Sequence, residues 1–139
     1  MSIGQLGLGH LHSVGKVSCI KSLKFDETGE KIILATCGRE SSLVATNRGS
    51  LYAFGLNRCC QLGMESVPIQ FSPTKIGYFR SKMSWKQLAM GAEHTCVLTN
   101  DGHVYVWGSN GMGQCGLERK YKIIRVPSKL RLEYSVSAM

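Results

Sequence analysis

Long apolar runs are missing from this sequence, and so are most of the marks of an extracellular or membrane protein. No window of 18 or more apolar residues occurs in the 139 residues, so no helical membrane span is written here. There is no C-x-x-C pair, no Asn-x-Ser/Thr acceptor and no secretory leader pattern. These absences argue against a disulfide scaffold or a zinc ribbon and lead us to expect a reducing, intracellular compartment. No stretch shows a convincing amphipathic helical period, which excludes a helix-built architecture. Proline is confined to Pro68, Pro73 and Pro127. Acidic residues are few: 9 face 17 basic ones, for a net charge of +8.

What is present is a repeat. Gly91 to Leu117 reads G-A-E-H-T-C-V-L-T-N-D-G-H-V-Y-V-W-G-S-N-G-M-G-Q-C-G-L, and Gly38 to Met64 reads G-R-E-S-S-L-V-A-T-N-R-G-S-L-Y-A-F-G-L-N-R-C-C-Q-L-G-M. Gly38 matches Gly91, Thr46 matches Thr99, Gly55 matches Gly108, Asn57 matches Asn110 and Gln61 matches Gln114, each pair 53 residues apart. A partial third copy, Gly4-Gln5-Leu6-Gly7-Leu8-Gly9, opens the chain. A fixed period of this size marks a repeat architecture. The cysteines follow the repeat too. Cys37 matches Met90, Cys96 matches Leu43 and Cys115 matches Leu62, so these act as small hydrophobes. Cys19 and the adjacent pair Cys59-Cys60 complete the six.

One unit reads as a small antiparallel sheet. Lys31–Cys37, Ser42–Thr46 and Leu51–Phe54 are short, apolar and β-favouring, with Asn47-Arg48-Gly49 as a hairpin turn that tolerates positive φ. The second unit repeats this with Lys86–Met90, Thr95–Thr99, the turn Asn100-Asp101-Gly102 and Val104–Trp107. We expect an outer strand over Thr74–Phe79, an edge strand at Val17–Ile20 and a polar turn at Asp26–Gly29. A single sheet of this size cannot bury both faces, so the sheets must stack, as the four-stranded blades of a β-propeller do.

The pattern G-x-E-H-T…L-T-x-D-G-x-V-Y-x-W-G-x-N-x-x-G-Q-x-G-L resembles the repeat of the regulator of chromosome condensation family, over about residues 3–130. The resemblance implies an all-β fold: a partial β-propeller of about two and a half blades out of an expected seven. Residues 1–130 form the incomplete propeller, with repeats at about 10–63 and 64–116 and partial copies at both ends. Residues 131–139 read as a non-repeat tail. A ring of seven at this period would need roughly 370 residues. The expectation is therefore a fragment, an alternative product of a longer gene, or an incomplete propeller whose open blade edges permit self-association.

Candidate chemistry thins out on inspection. Gly111 to Gly116 is a formal G-x-G-x-x-G, but Glu118-Arg119-Lys120-Tyr121 and then Pro127 follow where a phosphate-binding helix is needed. The upstream copy loses two of these glycines, so the match is a by-product of the repeat, and we expect no cofactor. Gly55, Gly63, Gly108 and Gly116 are expected at turns or close backbone approaches. Cys60 stands where the second copy has Gly113, which puts that turn in doubt. His10-x-His12 lacks third and fourth metal ligands. His94 is expected to fix an inner loop, Asp101 to serve a turn, and Trp107 with its match Phe54 to pack between blades. No catalytic, cofactor-binding or metal site is expected, and the chain reads as a non-enzyme.

Residues 118–139 carry six basic and two acidic residues. This balance permits nucleic acid, chromatin, anionic lipid or an acidic protein face as a partner, but aromatic interleaving is sparse, and a solvated segment is the plainer reading. By resemblance, the expected function is a non-catalytic protein-interaction scaffold. Its partner would be a small GTPase or its regulator, in the cytoplasm or in transport at a cilium. The alternatives are guanine-nucleotide exchange on a Ran-like GTPase with chromatin association in the nucleus, which needs the whole propeller, and a nonfunctional truncated product.

Overall fold

The computed structural model describes residues 3–25, 27–65, 67–79 and 82–132. It contains two four-stranded antiparallel sheets in simple meander order. The first blade comprises β1 (Ile32–Cys37), β2 (Ser41–Thr46), β3 (Leu51–Leu56) and β4 (Ile69–Lys75). The second comprises β5 (Trp85–Met90), β6 (His94–Thr99), β7 (Val104–Ser109) and β8 (Ile123–Lys129). Ahead of them runs an irregular arm, residues 3–20, followed by a short 3-10 turn at Lys21–Leu23.

The hairpins have a shared cause. Gly49 N–H donates to Thr46 O (3.0 Å) and Thr46 N–H to Ser50 O (2.9 Å), with Gly49 at φ 84°. That is a turn closed by a left-handed glycine, the three-residue hairpin form. Gly102, at φ 86°, repeats it between Thr99 and His103. The Asn47 side chain adds a tie, its Oδ1 accepting Lys31 N–H (2.8 Å) at the start of the first blade.

Gly55 and Gly108 interrupt the ladders of the third strands at φ 107° and 101°. A Cβ at either would lie 2.4 or 2.5 Å from the carbonyl oxygen of Glu40 or Glu93. Each bulge lets the following residue donate to that same carbonyl: Leu56 N–H to Glu40 O at 2.9 Å, and Ser109 N–H to Glu93 O at 2.8 Å.

The outer strand differs from expectation. It covers Ile69–Lys75 rather than Thr74–Phe79. Pro73 punctuates the sequence as a loop would, yet an edge strand tolerates proline because one side of it has no ladder to donate to. Pro127 sits in β8 in the same way. Phe79, outside the strand, packs against aromatic rings of the second blade instead. Its ring meets Trp85 and Tyr105 edge-on, with centroids 4.9 and 5.2 Å away. Val17–Ile20 is not a strand, and Val17 is fully exposed. Asp26 of the expected turn and residues 133–139 of the expected tail lie outside the described residues.

Cross-strand pairing sorts each blade into two faces. Ser42 pairs Phe54 and Val44 pairs Tyr52, while Leu43 pairs Ala53 and Ala45 pairs Leu51 on the opposite face. The second set is at most 1% exposed and joins one core with Trp85, Val97 and Trp107 of the second blade. The two blades also meet at their first bends, where a Cβ on Gly38 would lie 2.3 Å from Gly91 O.

Candidate interaction surface and the joints that shape it

Two buried asparagines hold the loops that follow β3 and β7. Asn57 Nδ2 donates to Met64 O and Val67 O (2.6 and 2.7 Å), and its Oδ1 accepts Leu62 N–H (2.9 Å). Asn110 Nδ2 donates to Leu117 O, Glu118 O and Tyr121 O (3.3, 3.1 and 2.9 Å), and its Oδ1 accepts Cys115 N–H (3.1 Å). An amide is needed because only Asn or Gln offers donor and acceptor on one short planar group. The repeat displayed this pair; its role as a loop clamp was invisible without the fold.

Glutamine completes each loop. Gln5, Gln61 and Gln114 accept, through Oε1, the backbone N–H two residues earlier: Ile3 (2.6 Å), Cys59 (3.0 Å) and Met112 (2.9 Å). The loop then turns its glutamine carbonyl outward toward the next blade. Gln61 O accepts Thr95 Oγ1–H (2.7 Å) and Trp107 Nε1–H (2.9 Å). Gln5 O accepts Ser42 Oγ–H (3.0 Å) from the first blade. Beneath each aromatic lies a glycine. A Cβ on Gly7 would sit 2.9 Å from the Phe54 ring, and one on Gly63 3.3 Å from Trp107 Nε1. A joint is thus a glutamine carbonyl and a glycine on one side, and a hydroxyl and an aromatic on the other.

The remaining sequence candidates take structural places. Gly111–Gly116 leaves β7 into two successive turns, closed by Gly113 N–H to Asn110 O (2.9 Å) and Gly116 N–H to Gly113 O (3.0 Å), with no helix behind it. Gly63 and Gly116 take φ 72° and 69°. Cys60 keeps the same turn as Gly113 by adopting φ 59°, a left-handed conformation in a residue with a side chain. The His10 and His12 rings lie 5.2 Å apart, and among the described residues no group of three or more His, Cys, Asp or Glu is placed to hold a metal. The His94 ring covers Gly91, leaving no room for a Cβ there. Asp101 accepts the Thr99 hydroxyl and pairs with His103 Nδ1 (3.0 Å). The Thr99 hydrogen bond, then the nearby His103, holds its carboxyl below the usual range. Burial, then Cys96, pushes the Cys115 thiol up to about 11, and it donates to Ser109 O (3.3 Å). Cys19 and Cys37 are exposed. The basic residues cluster around β8: Arg125 and Lys129 are exposed on it, and Lys120 reaches Glu118 (2.7 Å) and the Tyr121 ring (5.0 Å) just ahead of it.

The pattern described as the Regulator of chromosome condensation (RCC1) repeat matches residues 48–98 and 101–138, and a second form of it matches residues 85–114. The chain belongs to this family. It is 38% identical over 134 residues, 96% of its length, to the human X-linked retinitis pigmentosa GTPase regulator, of which it spans 13%. Among solved structures it resembles human WBSCR16, with a TM-score of 0.69 at 24% identity, over 79% of this chain and 28% of that one. It also resembles Prp20p from Saccharomyces cerevisiae, with a TM-score of 0.64 at 22% identity, over 76% and 27%. The likeness to these structures establishes the fold: two four-stranded blades of an RCC1-type propeller, preceded by an irregular arm. The Prp20p structure was reported with its binding to Gsp1p and histones.

Proposed function

We propose that this chain is a stretch of a non-catalytic, protein-binding propeller that engages a small GTPase or a regulator of one, in the cytoplasm or in transport at a cilium. The observation that carries this reading is the 38% identity over 96% of the chain to a protein named as a GTPase regulator. The physical role of the shared pattern supports it. The Asn clamps, the Gln carbonyls and the bulge glycines serve the scaffold, which leaves the exposed bends and turns between strands free to vary as recognition surface. Titration calorimetry against nucleotide-loaded small GTPases and their effectors tests the reading. Saturable binding without accelerated nucleotide release supports a scaffold.

Guanine-nucleotide exchange is the second reading, favoured by the fold shared with Prp20p and by the basic cluster at β8. It predicts faster release of a fluorescent guanine nucleotide from a Ran-like GTPase. Chromatin association in the nucleus adds a binding constant that falls steeply with salt, as phosphate contacts release counterions. Salt-insensitive binding and unchanged release reject it.

A further inference from the structure

The outer strand β4 carries a motif that the scaffold does not use. Ser72-Pro73-Thr74-Lys75 is a serine followed by proline, with a lysine at the third position after it. Of the three prolines only Pro73 follows a hydroxyl residue; valines precede Pro68 and Pro127. Pro73 recurs as Pro127, but the match of Ser72 is Val126, so the acceptor is no by-product of the repeat. β4 is the last strand of its sheet, and its ladder opens at the motif. Gly55 pairs Gln70 and Ala53 pairs Thr74, so Phe71, Ser72 and Pro73 stand opposite Phe54 alone. Three residues against one push the strand outward as a bulge. Phe71, Ser72 and Lys75 are exposed. The proline holds Ser72 to the extended region, the form in which protein kinases take their substrates. The exposure belongs to the position in the blade. Ser72 is exposed with the second blade following its own, and Val126 is 42% exposed with the first blade ahead of its own. Together they sample both flanks, and the position faces outward in each.

We propose that Ser72 is a phosphorylation site for a proline-directed serine/threonine kinase that reads a basic residue three positions after the acceptor. Ser72 Oγ attacks the γ-phosphorus of MgATP. The new P–O bond forms as the bond to ADP breaks, and the hydroxyl proton passes to the kinase's catalytic aspartate. Pro73 selects the kinase class, and Lys75 supplies the cation. The product carries about −1.5 to −2 charges. Lys75 is the one charged residue of β4, so phosphorylation reverses the sign of the first blade's rim. The rim of the second blade keeps Arg125 and Lys129 and stays positive. The site is independent of which protein the propeller binds.

The test is incubation of the full chain with a cyclin-dependent kinase and MgATP, read by intact mass and by mapping the phosphopeptide. One phosphate at Ser72 in the folded chain is expected. Ser72→Ala should abolish it. Lys75→Ala should lower kcat/KM about tenfold, the loss of one charge-assisted contact. Both residues are exposed, and unchanged unfolding curves keep these comparisons clean. Val126→Ser rebuilds the acceptor in the second blade, ahead of Pro127 and Lys129, and should add a second phosphate. No gain there, with the unfolding curve unchanged, removes the bulge as the presenting feature. A folded chain that stays unmodified while a peptide spanning residues 67–78 is phosphorylated overturns the proposal, because the fold then hides the motif. Phosphate gained only where the chain unfolds overturns it too, as does phosphate placed elsewhere with Ser72 untouched. If neither chain nor peptide is modified, the motif is not read and the idea fails.

Discussion

The two blades follow one plan and differ at a few matched positions, and those differences show which features of the repeat the fold needs. The second blade uses Trp107 and Thr95 against Gln61 O, so its joint carries two hydrogen bonds and full burial. The first uses Phe54 and Ser42 against Gln5 O, so it has one hydrogen bond and borders a cavity. Phe cannot donate, and its joint is correspondingly looser. The inner geometry survives this change because an Asn clamp, a Gln loop and a bulge glycine recur in both blades. The joint can be tuned while the frame is fixed.

The largest expected contrast is between Trp107→Ala and Phe54→Ala. The first empties a fully buried site and should cost about 3–5 kcal/mol in urea unfolding. The second should cost visibly less, because Phe54 is the smaller ring and makes no hydrogen bond to the joint's carbonyl; equal losses would break the distinction drawn between the joints. Gly55→Ala and Gly108→Ala should instead cost the same in both blades, about 3 kcal/mol or more each, from a left-handed backbone and a clash with a carbonyl. Unequal values would show that one bulge is dispensable.

Asn110→Ala and Asn57→Ala each strand several buried backbone groups and should cost about 2–3 kcal/mol. Asn110 should cost more, having three carbonyls to Asn57's two. Smaller again is Gly113→Cys, which copies the first blade's turn into the second. A Cβ there meets nothing closer than 3.4 Å, so the cost is backbone alone, about 1 kcal/mol by thermal unfolding.

The smallest effect is pH-dependent and confined to the second blade. The match of Asp101 is Arg48. The Asp101 carboxyl is lowered when folded, so its contribution is present above the ordinary carboxylate range and is lost as pH falls through the lowered value. Asp101→Asn should flatten a slight acid-side slope in stability measured between neutral and strongly acidic pH. An unchanged slope would assign it to other carboxylates.

The repeat made much of this legible. Hairpin turns, the three inner strands of each blade and the special glycines follow from local rules: positive φ at Asn-x-Gly, β-branched and aromatic runs, and matched positions 53 residues apart. The outer strand was misplaced because Pro73 carries the same local signal in a loop and in an edge strand. Phe79 was read as the end of that strand, and Phe25, whose ring meets Tyr52 at 5.8 Å, drew no reading at all. Their duty is to plug between elements far apart in sequence.

The sequence by itself determined the blade, its turns and its family, because those depend on backbone preference and on spacing along one chain. Only the tertiary structure decided which glutamine carbonyl meets which hydroxyl, which asparagine clamps which loop, and that the joint at Gln61 carries two hydrogen bonds where the joint at Gln5 carries one. The physical reason is distance along the chain. Gln61 and Trp107 lie 46 residues apart, and a hydrogen bond between them exists only once two sheets have stacked.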